Sequence, residues 1–119
     1  MHELAIAESI VAIAERHADG RRVSRVEVAV GHLRQVVPAA LEFAFELVAQ
    51  GTVLEGAELA LEEVPAEGRC RSCGAESRLD GFPLACRACG GWDVAVTAGE
   101  ELRVESLDLE TEEEIAHGR

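Results

Sequence analysis

Apolar positions recur along this chain with two different periods. Over residues 4–18 (LAIAESIVAIAERHA) they return every three or four residues. Ile6, Ile10, Ile13 and His17 share one stripe, widened by Leu4, Ala7, Val11 and Ala14, which predicts an amphipathic helix. Asp19 and Gly20 follow, and Gly20 suits a left-handed helix end. Met1, His2 and Glu3 then sit at the N-terminus of the helix. From 23 to 30 (VSRVEVAV) the period falls to two: Val26, Val28 and Val30 face one way, Arg25, Glu27 and Ala29 the other. That pattern predicts a half-buried strand.

Residues 31–37 turn the chain, and Pro38 fits the first turn of a second helix running to about Gln50. Leu41, Phe45 and Val48 make its main stripe, with Ala44 and Leu47 beside it. Alternation returns over 57–64 (AELALEEV), with Leu59 and Leu61 inward, until Pro65 and Gly68 break it. A last alternating run covers 100–110 (EELRVESLDLE). There Leu102 and Val104 are in phase while Leu107 and Leu109 have slipped by one, which predicts a bulge near Glu105 or Ser106.

Between these last two runs lies a cysteine-bearing, turn-rich segment. Cys70-x2-Cys73 and Cys86-x2-Cys89 are separated by twelve residues, and each pair is followed by glycine (CRSCG, CRACG). A two-residue gap lets both sulfurs reach one ion, and the glycine allows a tight turn that aims backbone N–H groups at the thiolates. Four soft ligands suit tetrahedral zinc in a closed structural site. The other reading, a redox dithiol pair, stays open at this point. The order of elements predicts an α+β fold: a three-stranded sheet with two helices on one face, plus an inserted zinc-ribbon-like module. The expected domains are residues 1–67 and 98–111 for the α+β part, 68–97 for the inserted module, and 112–119 for an acidic flexible tail.

Charge narrows the class of partner. The formal net charge is −12, which repels phosphate backbones and anionic membranes and tolerates a cation or a basic protein. No apolar run approaches the length of a membrane span. The N-terminus enters the first amphipathic stretch with no basic leader, so a cytoplasmic location is expected. In a reducing compartment cysteines hold metal more often than they form disulfides. The eight carboxylates of residues 100–114, against one arginine, read as a solvated strand face and tail.

Among the histidines, His17 reads as a core or boundary position, His32 as solvated in a turn, and His117 as part of the tail. His2 alone has chain-terminal donors beside it. The Met1 amine, the His2 amide nitrogen and Nδ1 of His2 would close five- and six-membered rings on one metal, a set suited to Ni(II) or Cu(II). An exposed histidine with no ligand role is the other reading. Neither GxGxxG, GxxxxGK[ST] nor G-x-S-x-G is present, and no nucleophile-and-base constellation points to an enzyme.

Taken together, MHELAIAESI, RVEVAVGHLRQVVPAALEFAFELVAQGT, CRSCG…CRACGG and ELRVESLDLE resemble, in order, the HypA/HybF family of hydrogenase nickel-incorporation proteins. The initial Met-His-Glu combined with two CxxC pairs is the specific part of the likeness. The resemblance implies a nickel metallochaperone and not an enzyme. It implies Ni(II) as transient cargo on His2, with the Met1 amine and the Glu3 backbone nearby, and structural Zn(II) on Cys70, Cys73, Cys86 and Cys89. It further implies a HypB-type nickel GTPase and the [NiFe]-hydrogenase large subunit as partners, with urease maturation proteins served by some relatives. The alternative expectation is a zinc-ribbon protein-interaction module without nickel cargo.

Overall fold

Helix α1 spans His2–Ala18 and buries Ala7, Ile10, Val11, Ala14 and Ala18. The coordinates are a computed structural model that describes residues 2–110. The expectations for the Met1 amine, for His117 and for an acidic tail lie outside the described residues. The helix starts two residues earlier than the apolar period indicates, so His2 and Glu3 form its first turn. The reason is that a helix start is set by backbone geometry and capping, which an apolar stripe does not report. The buried line also runs through the alanines, leaving Ile6 and Ile13 half-buried. His17 is exposed, contrary to the expectation of a core or boundary site. Asp19 and Gly20 both adopt positive φ, 51° and 81°, and end the helix.

Strand β1 (Val23–Gly31) buries Val23, Val26 and Val28 with Ser24, Arg25 and Glu27 more accessible, after which Ala29, Val30 and Gly31 are all buried. A short 3-10 turn at His32–Arg34 leads to α2, Pro38–Ala49, with Pro38 in the first turn. Helix α2 packs against α1 and buries Leu41, Ala44, Phe45 and Ala49. Leu47, expected beside the buried stripe, keeps 48% of its surface, and Ala49 takes its place inside. Strands β2 (Glu58–Val64) and β6 (Leu102–Leu109) flank β1 in the order β2-β1-β6. Backbone bonds Glu110 N–H to Arg22 O and Gly31 N–H to Glu101 O show β1 and β6 running antiparallel. Between these two pairs both strands advance by the same number of residues. The phase slip at Glu105 and Ser106 is therefore not a net one-residue bulge. It is a change in which face is covered, as Ala29 and Val30 also show on β1.

The cysteine-bearing segment holds a sheet of its own. Strands β3 (Glu67–Cys70), β4 (Glu76–Arg78) and β5 (Val94–Ala98) are ordered β4-β3-β5. Both pairings are antiparallel, with Arg69 opposite Glu76 on one side and Cys70 opposite Val94 on the other. These strands are too short for a period to stand out against the turns around them.

The described residues form two compact units. One comprises the chain up to Val28, Val36–Leu61 and the residues from Val104 on; the other comprises Ala29–Gln35 and Glu62–Arg103. The first holds both helices and an aliphatic core around Ile10, Val26, Leu41, Phe45 and Leu54, all at most 1% exposed. In the second, Ala66, Cys70, Leu79 and Cys86 are buried. No described helix is long and apolar enough to cross a membrane.

Candidate metal centre

The two cysteine pairs sit in two loops of nearly the same form. In the first, β3 ends at Cys70, and Cys70 exchanges backbone bonds with the turn: its N–H donates to Ala75 O and its carbonyl accepts from Gly74. In the second, Cys86 N–H donates to Gly91 O and Cys86 O accepts from Gly90. Gly74 and Gly90 have φ of 78° and 77°, the left-handed conformation that a side chain would strain. Each turn aims N–H groups at sulfur. Cys73 N–H points at Cys70 Sγ and Cys89 N–H at Cys86 Sγ, both at 3.5 Å, and Gly91 N–H reaches Cys89 Sγ at 3.4 Å. The glycine after each second cysteine thus does what its position in the sequence indicates.

The loops face each other through their sulfurs. Cys70 Sγ lies 3.7 Å from Cys89 Sγ, and Cys73 Sγ lies 3.6 Å from Cys86 Sγ. All four sulfurs fall within 4.8 Å of one another, and all four cysteines are unpaired by disulfide. Four thiolates at about 2.3 Å from a zinc ion have tetrahedral edges of about 3.8 Å. The donor set therefore fits such an ion in number, chemistry and spacing. Cys70 and Cys86 are buried, while Cys73 and Cys89 are exposed.

Proton affinities split within each loop. The Cys89 N–H draws the Cys86 thiol down to about 6. Cys70 is likewise lowered, foremost by the Cys73 N–H. Cys73 goes the other way: the Ala75 N–H works to lower it, but the neighbouring Cys86 sulfur and burial push it up to about 11. Cys89 is raised by the Cys70 and Cys86 sulfurs against the opposing Gly91 N–H. A divalent cation among the four sulfurs would offset the repulsion between neighbouring thiolates.

Ion pairs outside the sulfur cluster brace the loops. Arg71 bonds Asp93 Oδ1 at 2.7 Å, with Arg71 N–H on Asp93 O at 2.8 Å, tying the first loop to the start of β5. Arg87 pairs with Asp80. His32, expected to be solvated, has Nδ1 3.4 Å from Glu63 and Nε2 3.3 Å from the carbonyl of Asp80. Its pattern in sequence is that of any turn histidine, so these partners had no local signal.

At the start of α1 a second, smaller constellation appears. Nε2 of His2 lies 3.1 Å from Oε2 of Glu3, and the same Oε2 accepts the N–H of Val37 at 3.2 Å. The Glu3 side chain is 13% exposed and that of His2 53%. The Val37 N–H is the main cause holding the Glu3 carboxyl below the ordinary carboxylate range. The sequence marks Glu3 for its backbone. The role of its side chain depends on Val37, thirty-four positions away. His2 and the cysteines belong to different units.

A family model described as hydrogenase/urease nickel incorporation, metallochaperone, hypA matches residues 1–109. The hydrogenase maturation factor HypA of Geobacter metallireducens is 48% identical over 110 residues, covering 92% of this chain and 100% of the relative. That of Nostoc punctiforme is 44% identical over 110 residues, covering 92% and 96%. A solution structure of HypA protein matches with a TM-score of 0.66 at 26% identity, over 92% of this chain and 97% of that one. The solution structure of the nickel metallochaperone HypA from Helicobacter pylori matches in fold, with a TM-score of 0.67 at 23% identity over 92% and 98%.

Proposed function

The chain belongs to the HypA family of hydrogenase and urease nickel-incorporation metallochaperones, and on that premise we propose that it binds Ni(II) at its N-terminus and delivers it to the [NiFe]-hydrogenase large subunit during maturation. Proteins of this family carry a metal and are not enzymes. A HypB-type nickel GTPase is the expected partner in delivery, with urease maturation proteins as further clients. The cytoplasm is the compartment in which these partners meet.

The observation that carries the reading is the chain of contacts from Val37 through Glu3 to His2. A carboxylate fixed by a backbone N–H stands beside Nε2 of His2. A proton on Nε2 directed at Glu3 would leave Nδ1 as the lone pair that faces a metal. Nδ1 is the atom that closes the six-membered ring with the His2 amide nitrogen. The first four N–H groups of an α-helix have no intrahelical acceptor. The His2 amide therefore carries no helical bond that a metal would have to break, while the backbone N–H of Glu3 bonds its own carboxylate. The helix dipole opposes a cation here, and the Glu3 charge offsets that opposition.

Loading requires a neutral His2 and displacement of an amide proton, so nickel affinity falls as pH falls. Cys70, Cys73, Cys86 and Cys89 hold structural Zn(II) in this reading. That closed set leaves no open position for water or for cargo. The test is nickel titration of untagged protein by calorimetry. His2→Ala should abolish stoichiometric nickel binding and leave zinc content and helical circular dichroism intact. Unchanged nickel stoichiometry in that variant would overturn the proposal and leave a zinc-ribbon interaction module without nickel cargo.

A further inference from the structure

Helix α2 is apolar over more of its circumference than its own unit covers. Its sequence, PAALEFAFELVA, has Glu42 and Glu46 as its charged residues and no basic one. Leu41, Ala44, Phe45 and Ala49 face inward. At about 100° per residue, Ala39, Ala40, Phe43 and Leu47 form a second stripe on the other side. That stripe is open to solvent: Phe43 keeps 62% of its surface and Leu47 48%. Val37, just before the helix, keeps 56%, and Leu4 on α1 keeps 44%. The bond from Val37 N–H to Glu3 sets this end of the stripe beside the His2–Glu3 pair. A group of large exposed apolar side chains marks an interaction site.

We propose that the outer face of α2 is the docking surface for a partner protein that presents an apolar side chain bordered by lysine or arginine. Charge selects this occupant. Glu42 and Glu46, one turn apart, line one flank of the Phe43–Leu47 stripe and would pair with a basic rim. A second copy of this chain would set the same carboxylates against each other, on a protein whose net charge is already −12. An anionic membrane is repelled for the same reason. From Ala39 to Leu47 the stripe is about 12 Å long at 1.5 Å per residue, with Val37 just before the helix. A partner seated along it has one end at His2, where a nickel-accepting site needs to be.

The inference rests on the nickel-delivery reading for its choice of probes: purified HypB-type GTPase and hydrogenase large subunit of the same organism. Titration of each against wild type, Phe43→Ser/Leu47→Ser and Glu42→Lys/Glu46→Lys is the test. Loss of the two apolar anchors should weaken binding of at least one probe by about tenfold or more. Charge reversal should slow association and flatten its salt dependence. Trp92→Ser, at a position 76% exposed in the other unit, should leave that affinity unaltered. Circular dichroism and nickel stoichiometry should match wild type in every variant. The proposal is overturned by unchanged affinity in the Phe43/Leu47 variant, or by wild type binding neither probe. A wild-type dimer that the same variant converts to monomer in sedimentation also overturns it, by identifying a second copy as the occupant. Wild type that binds a probe through α2 but takes up no nickel would refute the nickel reading and leave the docking surface standing.

Discussion

The sulfurs of Cys73 and Cys86 lie 3.6 Å apart, and each belongs to a different loop. Cys70 and Cys89 make the matching contact at 3.7 Å. The two loops are therefore joined twice through sulfur, and neither loop's pair completes a tetrahedron alone.

Cys73→Ser consequently opens both loops. Structural zinc in a four-cysteine site stabilises its segment by on the order of 10 kcal/mol, far more than the few buried side chains of 67–98 supply. Zinc content should fall from about one ion per chain toward zero. Amide exchange of β3 and β5 should approach the unprotected rate, while α1 and α2 keep their protection. Full zinc content with protected β3 amides in the variant would contradict the assignment of the site.

At the base of that unit, a methyl group on Gly31 would meet the carbonyl oxygen of Gly99 at 2.0 Å and its carbon at 2.1 Å. The contact is with backbone, so no side chain can rotate away. Gly31→Ala should destabilise the protein by about 3 kcal/mol, the upper part of the range for overpacking. A lowered urea midpoint at unchanged slope is the expected result, and an unchanged midpoint would show that residues 99–100 shift freely.

Leu41 and Leu47 are equally apolar and six residues apart on one helix, yet Leu41 is fully buried and Leu47 half-exposed. Leu41→Ala should cost about 2–5 kcal/mol, as cavity-forming substitutions do. Leu47→Ala should stay within about 0.5 kcal/mol of wild type. Comparable losses in the two variants, read from thermal or urea unfolding, would mean that the outer face of α2 is covered in solution.

Glu101 links stability to pH. Its own backbone N–H and that of Gly99, the latter at 2.7 Å, hold its carboxyl below the ordinary value of 4.5, and Arg103 adds to the effect. A carboxyl whose folded pKa is depressed stabilises fully above its unfolded pKa and loses that contribution as pH falls through the folded value. Glu101→Gln should therefore be less stable than wild type at pH 7, and the difference should vanish as pH drops below about 4.5 toward the depressed folded value. A difference that persists unchanged at pH 3 would assign the effect to packing.

The proposed nickel corner predicts a role for the Glu3 side chain as well as for its backbone. Glu3→Ala removes the group that lies beside Nε2 of His2. Loss of such an outer partner typically lowers metal affinity by about 10–100-fold. Calorimetry should find nickel stoichiometry retained and affinity reduced by that order, and unaltered affinity would leave His2 oriented by something else.

Much of this molecule is written locally. The 3.6-residue period identifies α1 and α2, the two-residue period identifies β1, β2 and β6, and CxxCG twice identifies a four-sulfur cluster. These features depend on neighbours within one turn or one strand, so a single chain segment carries them. The start of α1 at His2, the exposure of His17 and Leu47, and the strands β3, β4 and β5 do not. Each depends on which side of an element another element covers, or on pairing between segments too short to show a period.

The sequence by itself determined the order of the two helices and of strands β1, β2 and β6, the four-cysteine cluster and the histidine near the terminus, because residue type and spacing are sufficient for each. Only the tertiary structure decided that Glu3 takes its hydrogen bond from Val37 and stands against His2, and that Phe43 and Leu47 face outward. The physical reason is the same in both cases. A hydrogen bond across thirty-four residues, or the burial of one helix face and not another, is settled by packing between segments, and no local pattern records it.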